Sequence, residues 1–167
     1  MESVILMGPP GAGKSTVGKH LAKLSKKPFI DTDRLIEERE GCSIGDIFLA
    51  KGEVGFREIE KGVVLEVLLH DDSIIALGGG SILDEEIQRK LEAKKNVIFL
   101  DVSISNAAPR VGFNKERPLL VGNPRQQWLL LMEKRRDIYE RLATQKVSTD
   151  NRKAHEVAEE IAARVQL

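Results

Sequence analysis

Cysteine is nearly absent: Cys42 stands alone among 167 residues, which excludes an internal disulfide and a cysteine-based zinc site and leaves a free thiol in a reducing compartment. Aromatic residues are scarce, with five Phe, one Tyr and one Trp, which argues against a base-stacking platform for nucleic acid. Neither charge is in excess, since Lys plus Arg and Asp plus Glu both number 26. No global field therefore favours nucleic acid or an anionic membrane, and any anion site must be built locally. No apolar run approaches the roughly 18 residues of a membrane span, and strand and loop signals start too close to Met1 for a signal-like apolar region. The three histidines, His20, His70 and His155, lack metal-ligand spacing. What remains is a cytosolic chain of one domain, 1–167, large enough for a sizeable core.

The most informative stretch is Gly8-Pro-Pro-Gly-Ala-Gly-Lys-Ser15, directly after the apolar run Ser3–Met7. It meets the pattern GxxxxGK[ST] between a strand and a helix, where the pattern means a phosphate-binding loop. Glycines let consecutive N–H groups turn toward an anion, Lys14 reaches β and γ phosphates, and Ser15 is placed to ligate Mg²⁺. The helix beginning at Ser15 aims its positive end at the same point.

Short β-branched runs at Val4–Met7, Pro28–Asp31, Ser73–Leu77, Asn96–Leu100 and Lys146–Thr149 alternate with helical periods. The helical stretches are Thr32–Glu40, Glu53–Leu69, Asp84–Glu92, Arg125–Leu142 and Ala154–Val165. Such alternation predicts an α/β fold with parallel strands joined by crossover helices. One long irregular segment, about 111–124, carries Lys115 and Arg117 among Gly and Pro. Its length and basic residues suggest a lid over phosphates, a solvated loop being the alternative.

Three more clusters fall at the carboxyl edge of the expected sheet, where open α/β sheets bind ligands. Asp31-Thr-Asp33 sends two carboxylates toward one cleft, although Asp33 would equally cap the helix that follows. Gly78-Gly79-Gly80 ends a strand, which suggests close approach of a ligand or unusual dihedrals. Arg57, Arg117 and Arg135 are scattered, and two that converge would hold a carboxylate through paired hydrogen bonds. Glu58, Glu60 and Asp137 offer them ordinary ion pairs instead. The second Mg²⁺ anchor is open between Asp31 and Asp101.

Taken in order, GPPGAGKST, DTD, FREIE, LGGG, RPLL and the Arg135–Tyr139 spacing give the chain a resemblance to the shikimate kinases over essentially its whole length. The resemblance implies a P-loop NTPase fold of the nucleoside-monophosphate-kinase type, with a central five-stranded parallel sheet flanked by helices, a substrate-binding region at about 32–61 and a mobile lid. It implies Mg²⁺ and ATP, with shikimate as phosphoryl acceptor. Gly11, Ala12, Gly13, Lys14, Ser15 and Thr16 would hold the phosphates, Ser15 and Asp31 the metal, and Arg110 and Arg152 the adenine side. Lys14, Asp33 and Arg117 would be catalytic, Asp33 as base and Arg117 from the lid. Asp33, Arg57, Gly79, Gly80 and Arg135 would bind the substrate; the spacing to Tyr139 selects Arg135 over Arg136. The chain is expected to work as a monomer, without nucleic acid or membrane. A gluconate-type or nucleoside-monophosphate kinase would share the phosphate loop, its helix and the lid arginines without the DTD, GGG and twin-arginine set, and a non-catalytic nucleotide-binding module would keep the phosphate contacts.

Overall fold

The computed structural model describes residues 2–111 and 123–167. The expected lid lies mostly, and Arg117 wholly, outside the described residues.

Five strands, β1 (Val4–Met7), β2 (Phe29–Asp31), β3 (Ile74–Ala76), β4 (Val97–Asp101) and β5 (Gln145–Ser148), form one sheet in the order β2-β3-β1-β4-β5. Every pairing is parallel, with Ile5 opposite both Ile75 and Val97. The three central strands read as apolar runs buried on both faces, broken only by the half-buried Asp101 that ends β4, as a sheet covered by helices on each side requires. The helices are α1 (Lys14–Ser25), α2 (Thr32–Glu40), α3 (Ile44–Val67), α4 (Glu85–Glu92), α5 (Ile104–Val111), α6 (Pro124–Leu142) and α7 (Ala154–Val165), with a 3₁₀ turn at Ser81–Leu83. The loop after β1 opens where β3 and β4 flank it, at the carboxyl edge of the sheet.

Two helical features differ from the sequence reading. α3 starts nine residues before the expected Glu53, because Ser43 caps an extra segment by accepting from the Asp46 N–H at 3.1 Å. Gly52, at φ 68° and ψ −178°, breaks this helix into two pieces, a conformation a side chain would strain. α5 carries no periodic signal long enough to read, and Pro109 disguises its last turn. Ser103 starts it by accepting from Ala107 N through its carbonyl at 2.8 Å.

Candidate functional site

The phosphate loop passes from β1 to α1 through Gly11 (φ 82°) and Gly13 (φ 88°), both in the left-handed region. At Gly11 a Cβ would also sit 2.9 Å from the Ala107 carbonyl of α5, so both backbone angle and space demand glycine. Lys14 is largely buried, and its amine donates to the carbonyls of Gly8 at 2.7 Å and Pro9 at 3.1 Å. The loop thus holds its lysine folded back. Gly11, Gly13, Lys14, Ser15, Asp31 and Asp33 line one cleft of about 270 Å³.

Asp31 divides its carboxylate between two tasks. Its Oδ1 accepts from the backbone N–H groups of Asp33 (3.1 Å) and Arg34 (3.3 Å) and so caps α2, while its Oδ2 accepts from the Ser15 hydroxyl. The cap is therefore Asp31 and not Asp33, which corrects the alternative considered for Asp33: the extended residue just before the helix takes the cap, and Asp33 falls in the first turn. Asp101 is drawn elsewhere, with its Oδ1 3.2 Å from the Arg136 guanidinium. Between the two acidic candidates, only Asp31 meets Ser15. Thr32, fully buried, accepts from Gly78 N–H at 3.0 Å and ties this turn to the end of β3.

None of Gly78, Gly79 and Gly80 has a left-handed φ, so their reason is space. A Cβ on Gly78 would lie 2.5 Å from Asp33 Oδ1 and 2.8 Å from Glu60 Oε2; one on Gly80 would enter the Arg57 guanidinium. At Gly79 it would lie 3.2 Å from the Gly8 carbonyl and 3.5 Å from Arg135 Nη1. The three glycines let two acids and two arginines close around one short backbone segment. Tyr139, stacked on Phe99 with centroids 5.1 Å apart, donates to the Gly79 carbonyl at 2.5 Å and fixes that segment.

Arg57 pairs with Glu60 at 2.7 Å, one turn along α3. Glu60 is only 2 % exposed. Burial pushes its carboxyl up to about 7; Arg57 pulls the other way, Asp33 adds to the rise and Arg135 opposes it. Sequence reasoning saw Glu60 as a surface partner of Arg57 and missed that it is sealed inside the site, since an i,i+3 ion pair looks the same exposed or buried. Arg135 is 4 % exposed, and its guanidinium lies against Gly79, where its charge acts on the Glu60 carboxyl. Its neighbour Arg136 is 39 % exposed at its side chain and turns to Asp101.

Arg110 reaches the loop from α5, donating to the Gly11 carbonyl at 3.3 Å and to the Thr149 hydroxyl and carbonyl at 3.1 and 2.9 Å. The backbone N–H of Arg152 meets that same Thr149 carbonyl at 3.4 Å, but its guanidinium bonds the Ser148 carbonyl and pairs with Glu160 at 2.6 Å. Both arginines converge on the turn after β5, and Arg110 alone of the pair lines the cleft.

A family model described as "Shikimate kinase" matches residues 10–166. A shikimate kinase of Thermobifida fusca is 46% identical over 158 residues, covering 95% of this chain and 91% of that protein. Among solved structures, shikimate kinase from Acinetobacter baumannii in complex with shikimate superposes with a TM-score of 0.96 at 35% identity, covering 99% of this chain and 93% of the other. A gluconokinase from Sinorhizobium meliloti, at TM-score 0.60 and 21% identity over 99% of this chain and 91% of its own, shares the fold alone.

Proposed function

The chain belongs to the shikimate kinase family, and we propose that its cleft transfers the γ-phosphoryl group of MgATP to the 3-hydroxyl of shikimate through the residues assembled there. The backbone of Gly11 to Thr16 receives the phosphates, and the Lys14 amine leaves the carbonyls of Gly8 and Pro9 for the β and γ oxygens. The Ser15 hydroxyl and Asp31 Oδ2 are hard oxygen donors already in contact, a donor set that suits Mg²⁺. These two residues would hold the ion, which when bound neutralises charge on the phosphate oxygens. Asp33 orients the acceptor hydroxyl and takes its proton as the oxygen–phosphorus bond forms and ADP departs.

Arg57 and Arg135 grip the substrate carboxylate, with the backbone of Gly79 and Gly80 completing that pocket. The observation that carries this reading is that both guanidiniums close on one glycine segment: a Cβ on Gly80 would enter that of Arg57, and one on Gly79 would lie 3.5 Å from Arg135 Nη1. Two guanidinium forks at one backbone turn suit a planar carboxylate. Arg117, from the lid expected at about 111–124, supplies charge to the transferring group, and Arg110 and Arg152 bound the adenine side. Among the described residues no helix is long and apolar enough to cross a membrane. We place the enzyme in the cytoplasm as a monomer acting on ATP and shikimate, without nucleic acid.

ADP formation measured in parallel with shikimate, gluconate and AMP tests the assignment. Turnover with shikimate alone is the expected result; turnover with gluconate or AMP and none with shikimate would overturn it.

A further inference from the structure

The chain's one tryptophan has no part in the roles above. Trp128 lies in α6, is 4 % exposed, and donates its indole N–H to the carbonyl of Pro10 at 2.8 Å across 118 residues of sequence. A buried indole N–H needs an acceptor; this one is met by the phosphate loop itself.

Three consecutive loop carbonyls are held in this structure. Those of Gly8 and Pro9 are held by the Lys14 amine, which is needed at the phosphates once nucleotide is bound. The carbonyl of Pro10 is held by Trp128, which no phosphate can recruit. In a trans peptide the C=O and the following N–H point to opposite sides. Holding the Pro10 carbonyl therefore fixes where the Gly11 N–H aims, and Gly11 lines the cleft. The next carbonyl, of Gly11, is held by Arg110 at 3.3 Å. Trp128, Met132, Arg135 and Tyr139 form one buried stripe on α6 at helical spacing. Tyr139 fastens this stripe to Gly79, and Trp128 fastens it to the phosphate loop.

We propose that Trp128 is a positioning residue for nucleotide: its indole N–H locks the Pro10–Gly11 peptide so that the Gly11 N–H faces the phosphates when Lys14 has turned to them. The proposal rests on the MgATP reading given above. Because Trp128 is the sole tryptophan, biosynthetic replacement of tryptophan by β-(3-benzothienyl)alanine changes this site alone, putting sulfur where the N–H was and keeping the ring shape. Trp128→Phe is made alongside, as a second way of removing the donor.

The full-length isostere should show a KM for ATP and a Kd for MgADP raised about three- to tenfold, the worth of one hydrogen bond. Its shikimate KM and Tm should stay close to those of the parent. An ATP KM within twofold of the parent's in both variants would overturn the proposal, as would equal rises in both substrate KM values with a lowered Tm, which would mark a packing residue only. The parent's own turnover of shikimate with ATP separates the two levels of inference. If it is absent, the kinase reading fails and takes this proposal with it; if it is present and the isostere is unaffected, the role of Trp128 alone falls.

Discussion

The partly exposed guanidinium of Arg57 lies 2.7 Å from a carboxylate oxygen of the buried Glu60. Glu60 titrates near 7 in the fold against an ordinary value of 4.5. Between these values the folded protein keeps a proton that the unfolded chain has lost, so stability falls as pH rises across that window and is level on either side. The shift corresponds to about 3 kcal/mol. Glu60→Gln keeps an acceptor for Arg57 without the charge, so the Tm difference between variant and parent should grow in the variant's favour from pH 4.5 to 7 and then stop growing. The shikimate KM of the parent should rise with pH through about 7 as ionised Glu60 competes for Arg57, and the variant should lose that step. A KM profile unchanged by the substitution would remove Glu60 from substrate binding.

Asp31 gives one oxygen to the cap of α2 and the other to Ser15, which makes the two roles separable. Asn caps a helix about as well as Asp, so Asp31→Asn should leave thermal stability nearly unchanged while raising the Mg²⁺ concentration needed for half-maximal rate. Asp31→Ala should lose both, with stability down by about 0.5–2 kcal/mol. Thermal melts and Mg²⁺ titrations of the two variants decide it; equal Mg²⁺ requirements in Asp31→Asn and parent would leave Asp31 as a cap only.

Asp33, relieved of the cap, has its carboxylate beside Gly78 and Glu60. Asp33→Asn is nearly isosteric, and kcat should fall by about 10²–10⁴-fold, the usual worth of a general base. A change confined to ATP affinity would point to the metal instead.

Much of this was readable because it is local. The phosphate loop, the strand alternation and the two-residue spacing of Asp31 and Asp33 each lie within one short window, and α2 and α7 have their expected bounds. Contacts between distant windows were not readable. Nothing in the neighbourhood of Trp128 announces Pro10, and nothing near Tyr139 announces Gly79, because those hydrogen bonds exist only once α6 is packed over β4, with Tyr139 on Phe99. Likewise the residues alone left Asp31 and Asp101 open, and the sheet brings Asp31 to Ser15 while Asp101 meets Arg136; Arg135 over Arg136 was legible in its spacing to Tyr139, and both of those lie on the buried side of α6.

The twin arginines give the most discriminating prediction, because a carboxylate clamp is what the phosphate loop alone does not supply. Arg57→Lys and Arg135→Lys each keep the charge and lose the planar fork, so each should raise the shikimate KM and leave the ATP KM nearly alone. Losing a charge-assisted hydrogen bond is worth roughly 1.5–3 kcal/mol, or about one to two decades in affinity. Arg136→Lys, one residue away but turned to Asp101, serves as the control and should change neither constant. If Arg57 and Arg135 hold one carboxylate, the double variant should lose less than the two single losses added, since removing one partner loosens what the other holds. Shikimate with its carboxylate replaced by a neutral amide should bind the parent poorly and suffer little further in either variant. Variants that kept the parent's full preference for the acid over the amide would show that the arginines serve the fold through Glu60 and Gly79, and the substrate carboxylate would need another receptor.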